Sequence, residues 1–390
     1  MYTHTHEKDI ENVLILQGGG SLGAFACGAC KTFAKNGIKF DIIAGTSIGS
    51  INGAIMAGSK NDNPAKDLED FWIEIAESSN NIIPDMFSYE YDYKNHQLNL
   101  KRSSSASLNA ATFGIPKFFV PRWFNWSMFP SNDINILPSQ WTYLYDNTPL
   151  AKTLEKYIDF KKLSPDAKQN NINNKYNNNN NNTRLIITAV DVLTAEPIIF
   201  DSNKTQIEMR HLLATIGYPQ YGFSWIEVDD GVYAWDGSLL SNTPIREVMA
   251  ASPSNDKNIF IIENYPKKID NLPSNMTEVQ SRAKDIMFTD KDQSLRSMSR
   301  LITKHINLIE TLYNIFKEHD HSKLDKDLIN YIEKEHKILV EKFGAKILEI
   351  KRISRENSET PYPSQNADFS VNTIKKLITQ GENKALDSLK

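Results

Sequence analysis

Cysteine is almost missing from this chain. Cys27 and Cys30 are the only two among 390 residues, too few for a secreted disulfide framework. They lie one turn apart in a stretch that reads as helix, whereas a C-x-x-C redox or metal site would want its first cysteine at the helix start, or a second ligand pair elsewhere. Long apolar runs are missing too: none reaches the roughly 18 residues of a membrane span. Residues 1–10 are polar and lack the apolar stretch of a signal peptide, so a cytoplasmic protein is expected. Nor is there an excess of one charge. A net charge of -4, with 24% charged and 40% hydrophobic residues, gives nucleic acid or an anionic membrane no general attraction. The length suffices for one large domain or two ordinary ones.

What is present centres on residues 40–54. Ile42 to Ala44 reads as an apolar strand that runs into Gly45-Thr46-Ser47-Ile48-Gly49 and then into a helix of small residues, Ser50 to Ala57. This is a G-x-S-x-G turn between strand and helix, the setting in which it matters. Glycines two before and two after the serine let the backbone bend sharply and the helix pack close. Ser47 then projects its hydroxyl at the head of a sheet, above the positive end of the following helix. A tight turn with a capping serine is the plainer alternative.

Asn12 to Gln17 is a short apolar run that fits a buried parallel strand. Gly18-Gly19-Gly20-Ser21-Leu22-Gly23 follows, then a helical stretch from Ala24 to Asn36 closed by Gly37. Two α/β units therefore precede residue 59, and a parallel sheet with helices on both faces is expected. A helix is predicted over 64–76. Residues 78–145 lose periodicity, and Phe113, Phe118, Phe119, Trp123, Phe124, Trp126 and Phe129 crowd within that excursion. Those aromatics read equally as a wall for an acyl chain or lipid surface and as a loop buried over the sheet. The asparagine-dominated tract 169–182 reads as a disordered insertion. Strands are expected at 184–190, 196–200 and 259–263, with a hairpin turn at Asp229-Asp230-Gly231. From 277 the pattern is helical, apart from a last strand near 346–353, and ends in a helix over 369–386.

A serine hydroxyl is a weak nucleophile at neutral pH, so Ser47 needs a base within hydrogen-bond reach and donors for the oxyanion. The glycine-rich loop 18–23 can supply the donors, since Gly19 and Gly20 can turn successive N–H groups toward one point. The same residues match G-x-G-x-x-G, the dinucleotide fingerprint, so a nucleotide-binding module is an alternative. That reading wants an acid at the far end of the second strand, and Asp41 stands at its start. For the base, His305, His319, His321 and His336 would complete a serine-histidine-acid triad of the α/β-hydrolase order. Each lies in a charged helical stretch. Asp236 ends an apolar strand, precedes Gly237 and is flanked by Trp235 and Leu239; partial shielding would make its carboxylate a stronger base. An ordinary Asp-Gly turn is the alternative for Asp236.

Gly18 to Gly23, Gly45 to Gly49 and Asp236-Gly237-Ser238, in that order and followed by Ser241-Asn242-Thr243-Pro244, resemble the patatin-like phospholipases. The resemblance covers about the first 250 residues, and the tail more weakly. It implies a three-layer α/β sandwich with a central, mostly parallel sheet and helical C-terminal additions. The expected organisation is a catalytic domain over 10–265 and a helical extension over 277–390 packed on it. The implied activity is lipid acyl hydrolysis by a Ser47-Asp236 dyad, with an oxyanion hole drawn from Gly18, Gly19, Gly20, Ser21, Leu22 and Gly23. Gly45, Thr46, Ile48 and Gly49 form the elbow, and Gly237 and Ser238 the acid turn. No metal or cofactor is implied. The expected partners are a lipid or other ester substrate and peripheral contact with a membrane surface, with no nucleic acid. Two positions depart from the family pattern: Ser238 replaces a Gly or Ala, and Leu22 stands where a basic residue is common. Without that charge to meet a headgroup, the resemblance implies an esterase before a phospholipase.

Overall fold

The structure, a computed structural model, describes residues 9–80, 96–123, 141–167, 183–289, 293–319, 324–356 and 365–390. The expected asparagine-rich insertion, 169–182, falls wholly outside them.

The chain opens with β1 (Ile10–Leu16), α1 (Ala24–Lys35), β2 (Ile42–Thr46), α2 (Ile48–Gly58) and α3 (Pro64–Asn80). The excursion that follows contains α4 (His96–Phe113), β3 (Val120–Pro121), β4 (Tyr145–Asp146) and α5 (Thr148–Tyr157). Next come β5 (Arg184–Asp191), β6 (Pro197–Asp201), α6 (Met209–Thr215), β7 (Ile226–Asp229), β8 (Val232–Asp236), α7 (Ile245–Ala251) and β9 (Asp256–Glu263). The last part holds α8 (Met276–Phe288), α9 (Gln293–Glu318), α10 (Lys326–His336), β10 (Ile347–Ser354) and α11 (Val371–Leu389).

The main sheet runs β10-β9-β1-β2-β5-β8-β7, with β6 also paired to β5. β10, β9, β1, β2 and β5 are mutually parallel, whereas β6 and β8 run antiparallel to β5, and β7 to β8. Alternate residues of β1 explain the layering. Leu14 and Leu16 pack with Phe25, Phe33, Ile51 and Trp72 of the helices on one face. Val13 and Ile15 pack with Ile245 and Val248 of α7 on the other. A strand covered on both faces must be apolar throughout, and Val13 to Leu16 are fully buried.

One element differs from the sequence expectation, and the expected last strand takes a place in the main sheet that the sequence does not assign. α4 occupies part of the stretch without periodicity; its sequence carries Ser103-Ser104-Ser105 and no regular apolar stripe, so nothing in the pattern announces a helix. The region after 277 does more than add helices, because β10 pairs in parallel with β9 and widens the sheet. α11 then lies against α1 at backbone distance. A Cβ on Gly28 would sit 1.9 Å from the Ile378 carbonyl oxygen, and one on Gly381 would sit 2.0 Å from that of Phe25. Lys31 of α1 closes the contact by pairing with both Glu69 and Glu382 at 2.6 Å. Cys27 and Cys30 are buried in α1, and desolvation pushes both thiols up, Cys30 to about 12. They are packing residues rather than reactive thiols. Among the described residues no helix is long and apolar enough to cross a membrane.

Candidate active site

β1 and β2 are neighbours in parallel register, with Leu16 opposite Gly45. Their C-terminal ends therefore bring the glycine-rich loop and Ser47 side by side. Ser47 stands between β2 and α2 with φ 55° and ψ -131°, a conformation that costs a non-glycine residue about 1–3 kcal/mol. Packing holds it there. A Cβ on Gly45 would lie 2.4 Å from the Gly49 carbonyl carbon, and one on Gly49 would lie 2.1 Å from the Leu16 carbonyl oxygen. Both glycines of the turn are thus required by close approach.

The main chain at Ser47 is fixed from outside the motif. Its N–H donates to Thr215 Oγ1 at 3.2 Å, and Thr215 donates in turn to the Thr188 carbonyl at 2.7 Å. With that proton committed, Thr215 Oγ1 can accept from Ser50 Oγ, 3.1 Å away. Thr46 Oγ1 pairs with Thr188 Oγ1 at 2.8 Å. Nothing in the sequence around Thr215 or Thr188 signals this role, since both arrive from distant elements.

The loop after β1 is held in the same way. Gly18 N–H donates to Asn242 Oδ1 at 2.9 Å, and Asn264 Nδ2 donates to the carbonyls of Gln17 and Gly18 at 3.0 and 3.1 Å. Gln17 reaches Thr243 Oγ1 at 2.9 Å. Gly19 and Gly20 have φ of 153° and 57°, and among the described residues no acceptor pairs with either N–H. Gly18, Gly19 and Gly20 line the cavity around Ser47, whereas Ser21, Leu22 and Gly23 do not. Those three are buried behind it: Ser21 donates to the Gln365 carbonyl, Leu22 N–H to the Gly19 carbonyl, and the Gly23 carbonyl accepts from Asn52.

Asp236 closes β8 and is 1% exposed. β8 runs antiparallel to β5, with Asp236 opposite Ala189, and its carboxyl lines the same cavity as Ser47, near enough for the Ser47 side chain to lower its pKa. Ser238 N–H donates to its Oδ1 at 2.8 Å. Burial raises the carboxyl from 3.8 to about 6, against the lowering effect of the Ser47 side chain and of Ser238. Gly237 fits because a Cβ there would meet Thr188 Oγ1 at 2.5 Å.

A cavity of about 370 Å³ opens over this pair. Phe118, Phe119, Tyr145 and Phe223 form one wall, with Phe119 edge-on to both Tyr145 and Phe223. Ile216, Tyr218, Tyr265 and Phe288 form another. The aromatic segment thus splits: Phe118 and Phe119 face the cavity, Trp123 packs on Tyr145, and Phe124, Trp126 and Phe129 lie outside the described residues. Residues beyond 277, among them Lys284, Phe288 and Asn366, complete the lining.

The other candidates lie elsewhere. No described histidine lines the cavity. His305 and His319 are exposed, His336 stacks on Tyr313 with ring centroids 3.6 Å apart, and His321 is outside the described residues. Asp41 sits at the opposite end of the strands, where its carboxylate accepts from Asn12 N–H at 2.8 Å, so it cannot serve a ligand at Gly18 to Gly20.

A family model described as Patatin-like phospholipase matches residues 14–249, more than half of the chain. The chain belongs to the patatin-like phospholipase family. Membership supports lipid acyl hydrolase activity. Among solved structures, the chain is similar to VipD from Legionella pneumophila, at 12% identity and a TM-score of 0.36, covering 98% of this patatin-like chain and 67% of that one. It is also similar to ExoU from the type III secretion system of Pseudomonas aeruginosa, crystallised with SpcU, at 16% identity and a TM-score of 0.28. That match covers 72% of this chain and about half, 49%, of the other. No curated protein matches the chain. The family match ends before β9, so Asn264, Lys284 and Asn366 are contributions from outside the matched region.

Proposed function

We propose that this patatin-like protein hydrolyses lipid carboxylic esters through an acyl-Ser47 intermediate, with Asp236 as the only general acid-base. The observation that carries the reading is one cavity lined by both Ser47, at its strained turn, and Asp236, whose carboxyl burial has raised to about 6 and on which the Ser47 side chain acts. At neutral pH that group is ionised and can accept a proton, and once protonated it is acidic enough to return it. Ser47 Oγ attacks the ester carbonyl while its proton passes to Asp236. The oxyanion is received by the N–H groups of Gly19 and Gly20, with the positive end of α2 behind Ser47. Gly18 is a weaker donor candidate, because Asn242 engages its N–H. Asp236 then protonates the departing alcohol, deprotonates a water that attacks the acyl-enzyme, and returns that proton to Ser47 Oγ as the acyl–Oγ bond breaks and the carboxylic acid leaves.

The aromatic walls support an acyl chain as the group beside Ser47. Peripheral contact with a lipid surface goes with this reading, since the chain must leave a bilayer or micelle to enter the cavity. Hydrolysis of a panel of p-nitrophenyl esters and dispersed lipids by the purified protein tests it, with Ser47→Ala as control. Turnover of long-chain esters that the control lacks is expected; no ester hydrolysis, or equal hydrolysis by the control, overturns the reading.

A further inference from the structure

The part of the cavity supplied by residues 14–249 contains no cationic side chain among the described lining residues. Leu22 is no substitute: it is 3% exposed and belongs to the hydrophobic core. A cation arrives from a different element. Lys284 of α8 lines the same cavity as Ser47 and, among the described lining residues, is its one cation, as Asp236 is its one carboxylate. Its Nζ donates to Asn366 Oδ1 and stands 5.0 Å from the centroid of the Tyr221 ring; Asn366 and Tyr221 also line the cavity. These contacts hold the ammonium against the wall.

We propose that Lys284 binds the phosphodiester of a glycerophospholipid whose ester carbonyl sits at Ser47. The proposal rests on the ester-hydrolase reading above and deepens it by assigning the phosphodiester-binding side chain to a helix outside the family match. In a glycerophospholipid the phosphodiester is only a few bonds from the scissile ester, so both groups fit within one cavity. A lysine meets phosphate as a point charge, and the attraction is stronger in a cavity with apolar walls than in water. Desolvation has pushed the Lys284 ammonium down to about 8, with Asp285 opposing, and a phosphate anion beside it offsets that cost. A fatty-acid carboxylate carries the same charge, so the experiment separates the two.

The test compares kcat/KM on dihexanoylphosphatidylglycerol and on p-nitrophenyl hexanoate, which share an acyl chain. A charge-assisted hydrogen bond contributes about 1.5–3 kcal/mol, so Lys284→Gln should lower the phospholipid-to-neutral-ester ratio by about tenfold or more. Lys284→Arg, which keeps the charge, should recover most of the ratio. An unaltered ratio for Lys284→Gln overturns the proposal, whatever the absolute rates. Calorimetric titration of Ser47→Ala protein with the dihexyl ether analogue of phosphatidylglycerol, with a neutral diether glycerol and with laurate reads the same contact without turnover. Lys284→Gln should selectively weaken the ether phospholipid. Selective weakening of laurate alone assigns the lysine to the product and overturns the proposal. If the neutral ester is not cleaved at all, the hydrolase reading fails, while the titration still decides what Lys284 binds.

Discussion

Thr215 Oγ1 accepts the backbone N–H of Ser47 at 3.2 Å, so the main chain of the proposed nucleophile is tied to a side chain at the end of α6. Thr215→Val removes this acceptor together with the donor to the Thr188 carbonyl. It takes a partner from the part-buried Ser47 N–H and from the Thr188 carbonyl, and a polar group left unpaired costs about 1–3 kcal/mol. A displaced serine should also lower kcat by roughly tenfold to a hundredfold. Thr215→Ser retains the hydroxyl and should stay near the parent. Urea unfolding and kcat on a short ester check both; a valine variant with the parent's kcat would mean the tie does not position Ser47.

Asp236 makes activity and stability respond to pH in opposite directions. Its folded pKa, about 6, lies above the ordinary 3.8, so its stabilising contribution is complete below about 3.8 and is lost as pH rises through 6. At pH 7–8 the shift of about two units corresponds to a penalty of about 3 kcal/mol. Asp236→Asn does not titrate. It should therefore be more stable than the parent at pH 8, with the difference vanishing toward pH 4, while the parent's kcat/KM rises through about pH 6 as the base ionises. Denaturation at several pH values and a pH-rate profile measure the two trends; a stability difference independent of pH would contradict the burial argument.

The histidines are expected to be spectators. His305→Gln, His319→Gln and His336→Gln should each leave ester hydrolysis within a few-fold of the parent, whereas loss of a general base costs roughly a hundredfold to ten-thousandfold. Steady-state rates on p-nitrophenyl butyrate decide this, and one inactive but folded histidine variant would replace the dyad with a triad.

Phe119 is 7% exposed and lines the cavity. Phe119→Ala should reduce activity on a twelve-carbon ester about tenfold more than on a two-carbon ester, because each buried methylene contributes about 0.8 kcal/mol. Equal losses on both, with a lowered melting temperature, would make Phe119 a core residue only.

Ser47, Asp236 and the glycines around them were legible because tight turns impose local requirements. Gly45, Gly49 and Gly237 are each needed within a few residues of the group they serve, and five-residue patterns carry that information. The supports were not legible. Thr215 meets Ser47 from 168 positions away, and Asn242 meets Gly18 from 224; a threonine or asparagine in such a place has no periodicity or flank that marks it. The same holds for Lys284, one of several charged residues along α8, with nothing in its flanks to single it out. For the fold, the apolar runs of β1, β2, β5 and β9 announced strands, and the strand-helix alternation of the first 58 residues announced a parallel sheet. A final strand near 346–353 could be read from its residues, but its pairing with β9 depends on where the preceding helices return the chain.

The account turns on Ser47 being the nucleophile and Asp236 its base. Intact-mass measurement and peptide mapping after brief exposure to a fluorophosphonate probe test this most directly. One adduct is expected, on the peptide carrying Ser47, absent from Ser47→Ala and formed at least about a hundredfold more slowly in Asp236→Asn. An adduct on another residue, or labelling of Ser47 at the parent rate in Asp236→Asn, would contradict the account.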